Sequence, residues 1–293
     1  MNRTASSRKP GLANRAVLRW AGGMFIRLLV LLLEHSPALR RLLWRWWYGR
    51  LAKRYRGADW TFMNYSFLSP TGPVLTLDPA DEADRLCIQL YHRVASAANL
   101  AGRDVLEVGS GRGGGASFIA RYHHPRRITG LDYSPQAVAL CRRRHADVAN
   151  LTFVAGDAES LPFPDASFDA VLNVESSHCY GHIDKFFAEA ARVLRPGGWF
   201  LYTDFRAATD LPALQAALTA QPGWEQVEAE DITAAVAAAL EADDARKRAL
   251  IAEFIPARFR HLFGEFAGLV GGQMHTGFRD RTIRYHRFAF RKA

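Results

Sequence analysis

From about residue 85 onward, the apolar positions follow a helical period in some segments and form short runs in others. Leu86, Leu90 and Val94 recur at helical spacing and predict a helix near 81–99. Short apolar runs predict seven strands, at 104–108, 127–132, 151–157, 168–174, 199–205, 224–232 and 283–292. Helical segments lie between several of these strands. Such alternation indicates a parallel sheet with helices on both faces.

The pattern changes after Thr209 and Asp210. Residues 233–262 are rich in alanine and charge, and they predict a helical cap near 233–270 over one end of the sheet. The last strand, 283–292, is expected to run antiparallel at or near an edge. The predicted fold of residues 81–293 is therefore α/β, a Rossmann-like, doubly wound, seven-stranded and mostly parallel sheet with a helical cap.

The basic charge of the chain is concentrated at its start. The chain has 38 basic and 29 acidic residues, and 1–56 hold thirteen of the basic and one of the acidic. Segment 16–33 is strongly apolar but contains two arginines, and each would cost about 2.5–3.5 kcal/mol at the centre of a membrane span. Segment 39–56 interleaves tryptophan with arginine, which suits a membrane surface. We expect a helical extension over 1–56 that either contacts a membrane surface through 16–56 or packs on the body. A membrane span by 16–33 is the least favoured alternative.

Composition excludes several classes of protein. Apolar residues make up 49% of the chain and charged residues 23%, so a large core can form. Cys87, Cys141 and Cys179 lack Cys-x-x-Cys spacing, which excludes a disulfide scaffold and favours a reducing, cytoplasmic location. No metal-ligand spacing and no nucleic-acid-binding motif is present, so neither a metal nor a nucleic acid is expected. The sequence does not specify an oligomeric state.

A glycine-rich turn directly follows the first predicted strand. Gly109, Gly111 and Gly113 lie where open α/β sheets bind their ligands. Gly109, Gly111 and Gly114 also fit the dinucleotide spacing G-x-G-x-x-G. Both interpretations expect an acid at the end of the second strand for ribose hydroxyls, and Asp132 occupies that position.

Two further features favour a cofactor without a pyrophosphate. Glu107 precedes the first glycine by two residues, so it suits a ligand with a cationic amino-acid tail. Segments 156–171 and 193–200 have no role in a dinucleotide site. Over about 85–205 the chain resembles the class I S-adenosylmethionine-dependent methyltransferases that act on small molecules.

A narrower resemblance is carried by 90–96, by 107–118, by 173–206 and by the tail from Phe254. These segments are closely similar to the phthiotriol and phenolphthiotriol dimycocerosate methyltransferases, which O-methylate a hydroxyl of a lipid-like polyketide. Related members act on sterols and prenylated indoles, some by C-methylation. The aromatic segment around Tyr65 corresponds to the family's N-terminal lid, here expected within 57–80.

The resemblance implies how the methionine and ribose parts of S-adenosylmethionine would be held. They would pass along Gly109, Gly111 and Gly113, and Asp132 would accept the ribose hydroxyls. Asn173 would offer its backbone to the methionine end.

The adenine contacts implied by the resemblance come from the ends of the second and third strands. Asp157 would bond the amino group, with the Ala158 backbone beside it and Leu131 or Tyr133 against the ring. The alternative for both Asp157 and Asn173 is ordinary turn chemistry at a strand end.

His178 is the best candidate for a general base. It follows the fourth predicted strand, beside the expected position of the cofactor's sulfur, and imidazole titrates near neutral pH. Asp204, at the end of the fifth strand, either orients that imidazole or takes the proton itself. Glu175 either holds the substrate or caps a turn.

Three functions remain open on sequence. The first is an O-methyltransferase for a hydroxyl of a lipophilic metabolite or lipid-like polyketide. The second is a C-methyltransferase of the sterol, terpenoid or indole type, which depends on acidic and aromatic residues. The third is a non-catalytic relative that binds a cofactor or lipid, against which the intact cofactor motif argues.

Overall fold

A computed structural model describes residues 61–69 and 75–293. In it, seven strands form one sheet. They are β1 (Asp104–Val108), β2 (Arg127–Asp132), β3 (Leu151–Ala155), β4 (Phe168–Val174), β5 (Leu194–Ala207), β6 (Trp224–Asp231) and β7 (Ile283–Lys292). The expected extension at 1–56, with its membrane contact, and parts of the expected lid lie outside the described residues.

The order of the strands is β3-β2-β1-β4-β5-β7-β6. The first five are parallel to one another, and β7 lies antiparallel between β5 and β6. The predicted α/β class and mostly parallel sheet are therefore confirmed. The last strand is antiparallel as predicted, one position in from the edge that β6 forms.

Eight α-helices lie within the described residues. They are α1 (Arg85–Ala95), α2 (Gly114–Tyr122), α3 (Pro135–Arg144), α4 (Ile183–Val193), α5 (Leu211–Thr219), α6 (Thr233–Phe254), α7 (Arg260–Ala267) and α8 (Gln273–Arg279). The start of α3 follows from its sequence, because Pro135 occupies the first turn and Ser134 Oγ accepts the amide of Ala137 at 3.3 Å.

The three largest differences from the sequence prediction lie at element boundaries. The helix expected near 81–99 begins as a 3-10 turn at Pro79–Asp84 and is α-helical only over Arg85–Ala95. Strand β5 begins at Leu194, five residues earlier than expected, because Leu194 pairs with Phe168 across a register shift. The helix expected over 233–262 ends at Phe254, since Pro256 supplies no amide to continue it.

The sheet separates two hydrophobic cores because successive strand residues point to opposite faces. Val105 packs into a core shared with α1, α2 and α6, whereas its neighbour Leu106 packs into one shared with α4 and α5. Helices thus cover both faces and leave the carboxyl ends of the parallel strands open. In the part of the chain that the structure describes, no helix combines the length and hydropathy of a membrane span.

Candidate active site

A cavity of about 500 Å³ opens at the carboxyl ends of β1, β2 and β4. Strand β1 lies between β2 and β4, so the strand order reverses here, and open α/β sheets bind ligands at this point. The wall is completed by lid residues 61–65 and by side chains of α7 and α8. The cavity brings together most of the residues that the sequence singled out.

The glycine-rich loop forms one part of this wall and uses its own amides internally. The amides of Gly109 and Ser110 donate to the carbonyl of Leu131 at 2.8 and 2.9 Å. The amide of Gly111 donates to Asp132 Oδ2 at 2.9 Å. These amides are therefore not available to a pyrophosphate, which argues against the dinucleotide interpretation.

Two of the loop glycines are required by close contacts. Gly109 has φ +81°, and a Cβ there would lie 2.2 Å from Ser176 Oγ. Gly113 has φ +84° and precedes α2, and its Cβ would meet His145 and Phe153 about 2.8–2.9 Å away. Gly113 does not line the cavity, so it shapes the loop from the side that faces away from the cavity.

The acid predicted at the end of β2 lines the cavity. Asp132 accepts the amides of Gly111 and Ser134, and burial nevertheless raises its pKa to about 6. Leu131, Tyr133, Asp157 and Ala158 line the same cavity. Asp157 also accepts the amide of Glu159 at 2.9 Å, the turn contact that the alternative interpretation predicted.

Glu107 lies behind the cavity wall. Its Oε1 accepts the hydroxyl of Tyr91 at 2.7 Å, and Tyr91 itself lines the cavity. Burial raises the pKa of Glu107 to about 7, and nearby Asp132 adds to the shift. Its Oε2 is buried and has no hydrogen-bond partner among the described residues. The expected direct approach of Glu107 to a cofactor remains a prediction.

Asn173 is also buried behind the wall. Its Nδ2 lies 2.9 Å from the Val108 carbonyl, 2.7 Å from Ser176 Oγ and 3.0 Å from the Tyr180 hydroxyl. The side chain thereby joins the ends of β4 and β1. Both Ser176 and Tyr180 line the cavity, so Asn173 supports two cavity residues.

His178 and Asp204 form a hydrogen-bonded pair at the ends of neighbouring strands. His178 lies in a 3-10 turn after β4, and its Nδ1 is 2.9 Å from Asp204 Oδ1. With that nitrogen donating to the carboxylate, Nε2 is the acceptor. The imidazole lines the cavity and packs on Phe205, with ring centroids 4.5 Å apart.

Both carboxylate oxygens of Asp204 accept hydrogen bonds from neighbouring groups. Its Oδ2 accepts the hydroxyl of Ser177 at 2.5 Å and the amide of His178 at 3.0 Å, and it pairs with Arg206 at 3.2 Å. Burial opposes its charge, but Arg206 and His178 outweigh burial and hold its pKa well below the usual range. Because Asp204 stays ionised and does not line the cavity, the geometry favours the orienting role over proton transfer.

The environment of His178 favours its protonated form. Burial alone would lower the pKa, but Cys179 and the Asp204 carboxylate outweigh it and raise the pKa of His178 well above its ordinary value. Its neutral, proton-accepting form therefore prevails only at pH above that raised pKa.

Glu175 ties the lid to the sheet. Its Oε1 accepts the backbone amide of Tyr65 and the hydroxyl of Tyr285, both at 2.7 Å. Glu175 has φ +46°, and its side chain lines the cavity. Burial raises its pKa to about 7, although these hydrogen bonds oppose the shift.

Several cavity residues were not singled out individually from the sequence. Tyr91 lies within a family-like segment, but its contact with Glu107 spans separate elements. Leu262, Phe266 and Met274 reach the cavity from α7 and α8, whose placement depends on the whole fold. In the described residues, no group of three or more metal-binding side chains could hold an ion.

Comparison with known proteins identifies similar sequences and folds. A family model described as a methyltransferase domain matches residues 106–202. The chain is 39% identical over 257 residues to the phthiotriol/phenolphthiotriol dimycocerosates methyltransferase of Mycobacterium tuberculosis, covering 88% of this chain and 94% of that protein. It is 40% identical over 245 residues to a fatty-acid O-methyltransferase of Mycolicibacterium smegmatis, covering 84% and 88%.

Solved structures give the same fold at lower sequence identity. A putative sarcosine dimethylglycine methyltransferase from Galdieria sulphuraria superposes with a TM-score of 0.66 at 18% identity, covering 84% of this chain and 98% of that one. This likeness supports the Rossmann-like fold.

Proposed function

The chain belongs to the S-adenosylmethionine-dependent methyltransferases, in the family of the phthiotriol/phenolphthiotriol dimycocerosates methyltransferases, and from this premise we propose that it O-methylates a hydroxyl of a lipophilic acceptor. The observation that carries the proposal is the His178–Asp204 pair, which presents an imidazole to the cavity.

The donor set at the end of β2 fits S-adenosylmethionine. A carboxylate offers about four acceptor sites, and backbone amides reach Asp132 at two points, so sites remain for two ribose hydroxyls. Asp157 and Ala158 would hold the adenine, and Gly109 and Gly111 leave room for the sugar and methionine. When bound, the cofactor supplies a methyl group on a sulfonium, which is already a good leaving group.

The buried carboxylate of Glu107 fits a cationic ligand. It has an unpaired oxygen and a pKa raised by burial, so a positive charge nearby would stabilise its ionised form. We expect the cofactor's amino group to provide that charge, with Tyr91 lying between carboxylate and cavity.

His178 would remove the acceptor's proton as the new bond forms. The acceptor oxygen would take the methyl group that the sulfonium releases, and the hydroxyl proton would pass to Nε2 of His178. Asp204 holds the imidazole in the required tautomer and stabilises the imidazolium that results. A base positioned in this way contributes about 10²–10⁴-fold.

The lipophilic acceptor is proposed from the relatives and from the lining of the cavity. Their names refer to a dimycocerosate and to a fatty acid. The wall of the cavity includes the apolar side chain of Phe205, which packs on His178, and those of Leu262, Phe266 and Met274. An aliphatic acceptor would gain about 25 cal/mol for each Å² buried there.

The test begins with calorimetric titration of the protein with S-adenosylmethionine, S-adenosylhomocysteine and NADH. We expect micromolar binding of both sulfur compounds and no binding of NADH. Incubation with isotope-labelled methyl donor and long-chain secondary alcohols or fatty acids should then give an oxygen-linked methyl group by mass spectrometry and NMR. Labelled product with a new carbon–carbon bond would refute O-methylation.

C-methylation is a second candidate because an acid and aromatic rings meet at the cavity. Glu175 contacts Tyr65 and Tyr285. The Tyr65 ring packs on the Phe205 ring, with the ring centroids 5.4 Å apart. Such an arrangement could stabilise a cationic intermediate on an alkene. A C-methylating enzyme would not need the imidazole of His178, so a His178 variant separates the two candidates.

Segment 16–56 would supply a lipid acceptor from a membrane surface. Its interleaved tryptophan and arginine residues motivate this part of the proposal. The full chain should sediment with anionic liposomes, and a chain lacking 1–56 should not. Equal sedimentation of the two would remove the membrane from the proposal without affecting the chemistry.

A further inference from the structure

A second, smaller cavity of about 120 Å³ lies beside the first. It is enclosed by α6, α7, the start of α1 and the lid. Most of its lining is apolar, including Leu250, Ile251, Phe254 and Phe263. None of these four side chains lines the first cavity.

The two cavities share one partition, made by lid residues 62–65 and Phe266. Two points of the lid are held by hydrogen bonds: Asn64 Nδ2 donates to the Cys87 carbonyl at 3.1 Å, and the amide of Tyr65 donates to Glu175. That part of the partition is therefore fixed.

The rest of the partition is formed by Phe62, which is buried, and by Met63 and Phe266. The side chains of Met63 and Phe266 are 37% and 40% exposed, in contrast to the buried Asn64 and Tyr65. Methionine is unbranched and adapts its shape readily. A change of rotamer at Met63 and Phe266 would join the two cavities without breaking the hydrogen bonds of the lid.

The charged residues of the second cavity are compensated within the protein. Arg246 lies 3.2 Å from Asp84 and 2.6 Å from Asp243. Lys247 donates to the Ala267 carbonyl at 3.2 Å. Because these charges already have partners, the remaining surface offers an environment for hydrocarbon.

We propose that the second cavity binds the distal part of the acceptor's aliphatic chain, which passes from His178 between Met63 and Phe266. This inference rests on the proposed lipophilic acceptor. The first cavity has to hold the cofactor along Asp132 and the reacting hydroxyl at His178, so a long chain needs further apolar space. The two cavities share Tyr65 and Phe266. The Tyr65 ring packs on Phe205, which in turn packs on His178, so the second cavity adjoins the acceptor end of the first.

The test fills the second cavity and leaves the first intact. Ile251→Trp places a large side chain in the second cavity, and Ala249→Trp adds the same group on the exposed side of the same helix as a matched control. Binding is measured for octanoic, dodecanoic and hexadecanoic acids by displacement of cis-parinaric acid from protein saturated with S-adenosylhomocysteine. Because this readout needs no methyl transfer, it is independent of the proposed chemistry.

For the wild type, affinity should rise with chain length by up to about fourfold per buried methylene, which corresponds to about 0.8 kcal/mol. Ile251→Trp should lose at least tenfold in affinity for hexadecanoic acid and little for octanoic acid. Ala249→Trp should match the wild type. Ile251→Phe should give a smaller loss of the same kind if the Trp variant does not fold.

Equal chain-length profiles in the wild type and a folded Ile251 variant would overturn the inference. A selective loss of long-chain binding in a protein that methylates none of the lipid acceptors would support this cavity assignment and refute the proposed function. Unchanged affinity for S-adenosylhomocysteine confirms that the variants are folded.

Discussion

The two ends of β1 each hold a buried carboxylate, and their surroundings shift its pKa in opposite directions. At the amino end, Asp104 is buried but contacts Arg126, Arg195 and Arg127. The hydrogen bond from Arg126 is the main reason that the pKa of Asp104 lies below its usual value. Three residues later, Glu107 lies deeper in the protein and its bonded partner is the neutral Tyr91. Burial therefore raises the pKa of Glu107 to about 7, although the hydrogen bond from Tyr91 opposes the rise.

This contrast distinguishes structural from functional burial of charge. The amino end compensates its charge within the protein, which is what a stable core requires. At the carboxyl end, no Lys, Arg or His among the described residues forms an ion pair with Glu107 or Asp132, so a cationic or hydroxyl-bearing ligand can stabilise their charge there. Groups with strongly shifted pKa values cluster at functional sites for this reason.

The largest expected effect comes from removing the imidazole at the carboxyl end. His178→Ala should lower kcat for O-methylation by about 10²–10⁴-fold, because the acceptor proton loses its base. Affinity for S-adenosylhomocysteine should be unchanged. Steady-state kinetics with a labelled methyl donor measure the effect, and His182→Ala, at an exposed position four residues later, is the matched control. A loss smaller than tenfold would favour C-methylation.

The second prediction compares how the carboxylates at the two ends of β1 contribute to the free energy of unfolding. Asp104→Asn should lower the free energy of unfolding by about 2 kcal/mol at neutral pH, because charge-assisted hydrogen bonds are lost. Glu107→Gln should raise it by up to about 3 kcal/mol at pH 8, because the cost of burying an ionised carboxylate disappears.

The pH dependence gives the sign of each effect. The pKa of Glu107 is raised from 4.5 to about 7 on folding, so its contribution becomes unfavourable as pH rises through that interval. Glu107→Gln should therefore differ from the wild type at pH 8 and little at pH 4. The stabilisation by Asp104, whose pKa is lowered, is present above the ordinary aspartate value and is lost as pH falls. Urea unfolding at several pH values measures both, and parallel curves for Glu107→Gln and the wild type would contradict the comparison.

The third prediction concerns cofactor affinity. Asp132→Asn should weaken binding of S-adenosylhomocysteine by about tenfold or more, because hydrogen bonds to a charged acceptor are replaced by weaker ones. Since the pKa of Asp132 is about 6, wild-type affinity should also decline below that pH and the variant's should not. Calorimetry at pH 5 and 8 tests this, with Asp147→Asn, in the turn after α3, as the surface control. Equal affinity in the wild type and the variant would remove Asp132 from the site.

The smallest expected effect is a displacement of the pH profile. In the wild type, kcat should rise with pH through a value above the ordinary histidine pKa, because His178 must be neutral to act as a base. Asp204→Asn removes the carboxylate that stabilises the imidazolium, so the rise of kcat should occur about one to three pH units lower. Rates measured from pH 5 to 10 would show it, and Asp210→Asn at an exposed position is the control. If kcat of the variant rises at the same pH as that of the wild type, a group other than His178 titrates.

The fold was largely predictable because strands and helices are encoded by local periodicity. All seven predicted strands are present, and the glycine turn, Asp132 and Asp157 lie at the expected strand ends. Boundaries failed where non-local contacts decided them. Leu194 became a strand residue through pairing with Phe168, a contact that residues near Leu194 do not reveal.

The sequence predicted which residues belong to the candidate site better than it predicted how they are arranged. His178 and Asp204 each follow a strand, and they meet because β4 and β5 are neighbours, with Val174 opposite Thr203. The burial of Glu107 behind Tyr91 and the attachment of the lid through Glu175 join residues far apart in the chain. No local pattern carries that information.

The sequence by itself determined the parallel sheet, the position of the glycine-rich turn and the residue types available for methyl transfer, because these depend on neighbours within a few positions. Only the tertiary structure decided which carboxylates have charged partners, which groups Asp204 contacts and where two cavities adjoin. Those properties depend on burial and on distances between separate elements, since the free energy of a charge is set by everything that surrounds it in space.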